Sequence, residues 1–333
     1  MHSLKKEKTF NVTLETFESL ASHWRNPSCA LKWECLFVLP AWLRVWWSTF
    51  GNGLEPYLCG VRKEEELLGI APLLIEGERA RLMGDKEVCD YLDFVISPGK
   101  AHDFFYTLIK HLRKQGINNL DLSPLRADST VLTELTAVAK GLGCEVFCKE
   151  EDVSSEMDLP ANWDGFLQTL KGKERHEIRR KLRRLHEAAD IRYRIAEDIR
   201  EIRDGMDTFL TLFVSNRSDK AAFMNSHMVS FFRSLAEGLA EVQIMKLSFL
   251  ELDGTPAAAL MTFDYNSTVY LYNNGYDSRF RSLSVGLLSK VLSIKESIER
   301  GRKKYDFLKG DEAYKYRLGG NAVPLYRCDI QLG

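Results

Sequence analysis

One order of hydrophobic patterns runs twice through these 333 residues, and it constrains the fold more than any single motif. In each half, strand-like alternation leads through a loop to an amphipathic helix that stops at a glycine. A strand holding an aspartate, a further helix and a last strand follow. A constant offset (306 − 121 = 185) carries Gly69 onto Gly254, Tyr91 onto Tyr276, Ser97 onto Ser282, Gly116 onto Gly301 and Asp121 onto Asp306. Gly69 and Gly254 read as one hairpin turn in this alignment. The identities are too few to separate duplication from coincidence, so the order of elements carries the argument. Strands alternating with helices predict an α/β fold, and a chain of this length predicts two domains, 1–155 and 156–333.

Period and punctuation place the elements. In the first half they predict helices over 14–24, 41–50, 101–115 and 130–141, and strands over 55–61, 67–75, 80–83, 119–122 and 145–148, with an apolar run at 91–96. The run Lys149-Glu150-Glu151-Asp152 reads as a polar boundary. In the second half helices are predicted over 163–170, 174–188, 202–214, 228–239, 285–300 and 312–317. Strands are predicted over 191–195, 242–252, 257–264, 269–273, 304–308 and 325–330.

A net charge of −1 supplies no global field for nucleic acid or membrane, so such a partner would need a local patch. The charged N-terminus, Met1 to Lys8, leads into no apolar segment of the secretory kind, and the apolar stretch 36–47 is too short to span a bilayer. The expectation is a cytoplasmic protein with no stable membrane insertion. Seven cysteines without CxxC spacing then read as reduced, mostly buried thiols. The histidines form no HxH, HExxH or HxxxH set, so no metal site is expected. GxSxG, GxGxxG and Walker sequences are absent as well, which removes the common hydrolase, Rossmann and NTPase readings.

Four constellations could carry chemistry. The stretch from Tyr305 to Gly319 runs an apolar strand with Asp306 into Gly310, then packs Asp311, Glu312, Tyr314 and Lys315 together. A carboxylate can take a proton from an amine, a phenol can protonate a leaving thiolate, and an ammonium can neutralise an oxyanion. Capping of a short helix would account for Asp311 and Glu312 but leaves Tyr314 and Lys315 without a cause. Ahead of the helix over 285–300, Arg279, Arg281, Ser282, Ser284 and Gly286 offer cations, an N-cap and uncovered amides, a pattern suited to pyrophosphate. A capped helix after a basic loop is the structural alternative. The first-half counterpart, Ser97 to Lys100, is less basic. Asp90, Tyr91 and Asp93 form a third group that can act together only outside a regular strand. The fourth is the basic run 171–184, with Arg179 and Arg180 on a face turned away from Ile178, Leu182 and Leu185. It suits phosphate-rich partners or none.

Several short motifs in a fixed order resemble the CelD/BcsL-type branch of the GNAT acyltransferase superfamily, which is related to the Fem-type peptidyltransferases. They are Leu39-Pro40-Ala41-Trp42 with Trp46-Trp47, Gly69-Ile70-Ala71-Pro72-Leu73, Asp90-Tyr91-Leu92-Asp93-Phe94 and Leu167 to Arg184. Tyr272-Asn273-Asn274-Gly275-Tyr276-Asp277 and the segment Tyr305 to Lys315 complete the set. The resemblance implies tandem GNAT-like folds, mixed sheets flanked by helices, and acyl transfer to an amine. It places an acyl-CoA donor between two central strands of the C-terminal domain, its pyrophosphate on the helix from Ser284 onward. Tyr314 becomes the acid and Asp306, Asp311, Glu312 and Lys315 its catalytic companions. Asp90, Tyr91, Asp93, Arg179 and Arg180 are left for the substrate. An acyl-carrier protein could replace coenzyme A, and Fem-type relatives imply an aminoacyl-tRNA donor instead. The branch also suggests an acceptor from cell-envelope polysaccharide or lipid synthesis. A tandem GNAT fold that binds without catalysis is the alternative class.

Overall fold

The structure is a computed structural model that describes residues 9–215 and 222–333. Residues 1–8, including the charged N-terminus and His2, lie outside the described residues. The chain divides into two compact units, 1–152 with 324–333, and 153–323.

The first unit contains β1 (Phe10–Leu14), α1 (Phe17–Arg25), α2 (Pro40–Phe50), β2 (Pro56–Lys63), β3 (Glu66–Glu76), β4 (Arg79–Leu82), β5 (Val95–Ile96), α3 (Ala101–Lys114), β6 (Asn119–Arg126) and α4 (Thr136–Gly141). The chain then passes into the second unit along β7 (Glu145–Asp158). There follow α5 (Trp163–Thr169), α6 (Gly172–Ala188), β8 (Ile191–Ala196), α7 (Ile199–Val214), α8 (Ser226–Ala240), β9 (Met245–Leu252), β10 (Thr255–Tyr265), β11 (Thr268–Tyr276), α9 (Val285–Glu299), β12 (Lys304–Lys309) and α10 (Ala313–Arg317). The last strand, β13 (Asn321–Gln331), carries the chain back to the first unit from Pro324.

Each unit builds the same sheet. In the first the order is β1-β2-β3-β4-β6-β13, and in the second β8-β9-β10-β11-β12-β7. Three antiparallel steps lead in both to one parallel step, β4 with β6 and β11 with β12. A parallel neighbour requires a crossover, and α3 and α9 supply it. An antiparallel strand closes each set, β13 against β6 and β7 against β12. Asp121 and Asp306 therefore occupy the same sheet position, each opposite the last residue of the parallel step. Gly116 and Gly301 both stop the crossover helix with positive φ, 80° and 70°.

Apolar stripes explain why the helices sit on these sheets. Phe104, Phe105, Leu108, Ile109 and Leu112 form the buried face of α3. On α9 the buried face is Val285, Leu288, Val291, Ile294 and Ile298. Packed under α9 are Leu260, Val269, Leu271, Tyr305 and Phe307.

Four local expectations are corrected. The helix expected over 14–24 begins only at Phe17, and residues 10–14, for which no strand was expected, pair with β2 as an edge strand. The acidic run Lys149–Asp152, read as a boundary, lies inside β7, the strand along which the chain leaves the first unit, and not between elements. Gly69 sits within β3 opposite Val61, so it is no counterpart of Gly254, which turns the β9–β10 hairpin at φ 76°. Finally, Cys148 and Cys328 form a disulfide, whereas all seven thiols were expected reduced. Cys29, Cys35, Cys59, Cys89 and Cys144 remain free.

Candidate active site

In the second unit the two parallel strands pair only briefly. Thr268, Val269 and Tyr270 face Lys304, Tyr305 and Asp306, after which β11 continues to Tyr276 and β12 to Lys309 without further pairing. The parting has a local cause. Leu308 takes a left-handed conformation, φ 62°, and its N–H donates to the Asp306 carboxylate at 2.7 Å. One extra residue is thereby bulged out of β12 against β7, which turns the strand end. Asp306 is almost fully buried and braces this bulge, so the expectation of a catalytic role for it gives way to a structural one.

The wedge between the strands is lined by residues from three elements. Tyr276 ends β11, Ser284 to Leu287 begin α9, Lys290 follows one turn on, and Tyr314 rises from α10. With Arg281 they enclose a cavity of about 230 Å³. Ser284 stands at the start of α9 in a left-handed conformation, φ 58°, and its side chain makes no capping hydrogen bond. The expected serine cap is absent, which leaves the first-turn amides without a side-chain acceptor. Gly286 has a packing reason that sequence reasoning did not contain: a Cβ there would lie 2.6 Å from the Tyr276 ring.

The two arginines part company. Arg281 lines the cavity, while Arg279 is exposed and tied to Asp277, Nε to Oδ2 at 2.8 Å. Ser282 is exposed on the turn before Ser284 and does not line the cavity.

On α10, Tyr314 lines the cavity. Its ring packs edge-on to Phe307 at 6.4 Å, and the Lys290 ammonium lies 4.8 Å from the ring centroid. Burial pushes its phenol well above the ordinary tyrosine value, with the Glu312 charge adding to the rise, so the proton is held. Lys290 itself is buried and donates to Asn274 Oδ1 at 3.0 Å and Gly286 O at 2.7 Å. Lys290 was not singled out from the sequence, and Asn274 stood only within the Tyr272–Asp277 motif, with no role given to it. The available signal was a lysine one place before Val291 on an otherwise apolar helix face.

Lys315 does not act as expected. Its ammonium is 1% exposed and donates to Leu308 O, Lys309 O and Gly310 O at 2.9, 2.7 and 3.0 Å. Three donors meet three carbonyls, and Glu312 Oε2 lies 3.0 Å away. No donor is left for an oxyanion, so the lysine clamps the β12–α10 corner. Gly310 completes that corner. Its φ of 112° is open to glycine, and a Cβ would meet Glu312 Oε2 at 2.5 Å. Asp311 accepts from the Tyr316 hydroxyl on the exposed side.

The group in the first unit is structural. Asp90, Tyr91 and Asp93 lie in a loop, as joint action would require, but Tyr91 is buried edge-on against Phe37 at 5.0 Å. Asp93 accepts the Thr130 N–H at 2.9 Å and anchors the following helical turn. Burial raises its pKa to about 6 against these hydrogen bonds. Tyr91 is thereby held in the core and Asp93 on the start of the next helical turn. The corresponding wedge is also closed here. Leu92 N–H donates to Pro124 O at 2.8 Å, and Cys89 and Leu92 fill the core beside it. Lys100, in the less basic counterpart of the α9 start, is paired with Glu66 at 2.8 Å.

Arg179 and Arg180 are exposed on α6, and Arg180 is engaged by Glu177 through two bonds of 2.9 and 2.8 Å. A second cavity, about 640 Å³, opens between α6 and α10. Leu287 and Tyr314 line both cavities. Among the described residues there is no group of His, Cys, Asp or Glu able to hold a metal ion, and no helix is long and apolar enough to cross a membrane.

Two sets of strands of one order, each with a parallel step bridged by a crossover helix, form a GNAT-type acyltransferase fold, and in the second unit the strands part to leave an open wedge. Comparison agrees: the acetyltransferase (GNAT) domain family matches residues 172–316. A solved FemX structure is similar over 96% of both chains at 13% identity, with a TM-score of 0.65. A conserved protein of unknown function from Bacteroides thetaiotaomicron VPI-5482 is 12% identical, covering 97% of this chain and 100% of that one, with a TM-score of 0.60. L-PGS from Bacillus licheniformis is 11% identical over 79% of this chain and 81% of its own, with a TM-score of 0.51. Such identities show the fold alone. No curated protein matches the sequence significantly. The tandem GNAT-like fold class expected from the sequence is the observed one, and it is reached through two sheets of one strand order.

Proposed function

We propose that the second unit transfers an acyl group from an acyl thioester, with acyl-CoA as donor, to an amine. The carrying observation is the parting of β11 and β12 beside Tyr314, which opens a wedge at the start of α9. The residues there suit such a donor. Arg281 is exposed on the cavity wall and the first-turn amides of α9 lack a side-chain cap, a combination that favours pyrophosphate. Lys290 and Asn274 fix each other beneath the wedge.

In the reaction, the amine nitrogen bonds to the thioester carbonyl carbon and the carbon–sulfur bond breaks. Tyr314 gives its proton to the leaving sulfur, the proton lost by the amine leaves to water, and water returns a proton to the phenolate. Burial keeps the phenol protonated at neutral pH, the form from which an acid starts. Lys315, the bulge at Leu308 and Gly310 keep Tyr314 in place and take no part in bond making.

The test is thiol release from acetyl-CoA across a panel of amines, together with calorimetric binding of coenzyme A. Absence of both coenzyme A binding and thiol release overturns the reading. A second reading, aminoacyl transfer from charged tRNA, draws on the exposed Arg179, Arg183 and Arg184 of α6. Turnover that depends on charged tRNA and is abolished by ribonuclease would favour it. A place in cell-envelope synthesis rests only on the motif resemblance.

A further inference from the structure

The cavity between α6 and α10 adjoins the wedge proposed for the donor and reaches the same phenol. Its floor is apolar, formed by Ile178, Leu318, Leu287 and Tyr314. Its rim carries Lys173, His176, Lys181 and Arg317 beside Glu174 and Glu177. Glu177 is engaged by Arg180, and Lys181 lies 3.5 Å from it. Lys173 and Arg317 are exposed and have no ion-pair partner among the described residues. A volume of about 640 Å³ falls within the range of small-molecule sites.

Three features have to be satisfied by one occupant. It must reach Tyr314, where the two cavities share a wall, cover an apolar floor, and answer two uncompensated cations at the mouth. We infer that this cavity is the acceptor site and that its ligand is an anionic amine, a small molecule bearing a phosphate or carboxylate some distance from its reacting nitrogen. Lys173 and Arg317 bind the anion and so act as specificity-determining residues. The inference rests on the acyl-transfer reading above for the word acceptor, while the anion preference stands on the cavity itself.

The experiment measures binding to the full chain by calorimetry, with excess coenzyme A present to occupy the donor site. Glucosamine 6-phosphate, γ-aminobutyrate and uncharged-side glucosamine are the probes, separating a phosphate source from a carboxylate source and from an amine alone. At least one anionic amine should bind roughly tenfold or more tighter than glucosamine, as expected for charge-assisted contacts. Lys173→Ala with Arg317→Ala should erase that difference and leave coenzyme A affinity unchanged. Both residues are exposed, so the double variant should fold; Lys173→Arg, which keeps the charge, should retain the preference. Equal binding of all three amines, no binding of any, or a preference that survives the double variant overturns the acceptor inference. Failure of coenzyme A to bind in a separate titration overturns the donor reading, and the two failures are thus distinct. Binding of RNA that the double variant abolishes, with no small anionic amine bound, also overturns it.

Discussion

Replacing Tyr314 by Phe removes one oxygen from the protein and, on the acyl-transfer reading, its general acid. The ring contacts with Phe307 and Lys290 survive, and the hydroxyl has no hydrogen-bond partner among the described residues to lose. Folding stability should therefore change by no more than about 0.5 kcal/mol. Turnover is a different matter. General acid catalysis contributes roughly 10²–10⁴-fold, which corresponds to about 3–5 kcal/mol in the barrier. The acid works on the leaving sulfur, so the loss should shrink for an aryl thioester donor, whose thiolate leaves without a proton. Thiol release from acetyl-CoA and from an acetyl aryl thioester, at matched enzyme concentration, measures both quantities. Because burial raises the phenol, wild-type turnover should show no alkaline loss from Tyr314 below roughly pH 10, the ordinary tyrosine value. Unchanged turnover in Tyr314→Phe refutes the acid, and an equal loss with both donors refutes the proton transfer to sulfur.

Lys315→Ala should act on folding: three carbonyls lose a charged donor, for about 3–5 kcal/mol and a melting temperature lower by roughly 10 °C. Arg281→Ala should weaken coenzyme A roughly tenfold, whereas Arg279→Ala, already tied to Asp277, should change it less than about twofold, both by calorimetry. Asp93 has a folded pKa raised from 3.8 to about 6, so its protonated form favours the native state and that stability declines as pH rises from about 4 to 6. At about 1.4 kcal/mol for each tenfold change in acidity, Asp93→Asn should remove up to roughly 3 kcal/mol of pH dependence in that window, read from urea melts. Alkylation of the unfolded chain should modify five cysteines without reductant and seven with it.

The strands of the β2–β3 hairpin were legible because Leu58 to Val61 and Leu68 to Leu74 are buried runs with strong apolar content. β1 and the middle of β7 were not. Phe10 to Leu14 form an edge with little burial, and Lys149 to Asp152 are exposed throughout, so neither shows the alternation that burial of one face imposes. Of the candidate site, the sequence showed residue types but not their contacts. Tyr314 lines the cavity, whereas Lys315, an equally suggestive residue type, donates to three backbone carbonyls. Only coordinates count the acceptors around an ammonium. Lys290 escaped notice because helix periodicity treats a lysine on an apolar face as noise, although burial of that charge is what made it informative.

The return of β13 to the first unit has a consequence for synthesis. Asp121 on β6 is gripped by Arg327, 206 residues later, through two bonds of 2.7 Å. As the ribosome extends the chain, the first unit emerges early but lacks the strand that closes its sheet until residues 324–331 appear. The later-made unit receives its closing strand, β7, before the rest of it exists. Maturation should therefore run against the direction of translation: the C-terminal unit consolidates first, while β6 waits with an open edge. Deleting residues from Pro324 onward should then leave the C-terminal unit protected from protease and the N-terminal unit susceptible, an inversion of the usual N-to-C order.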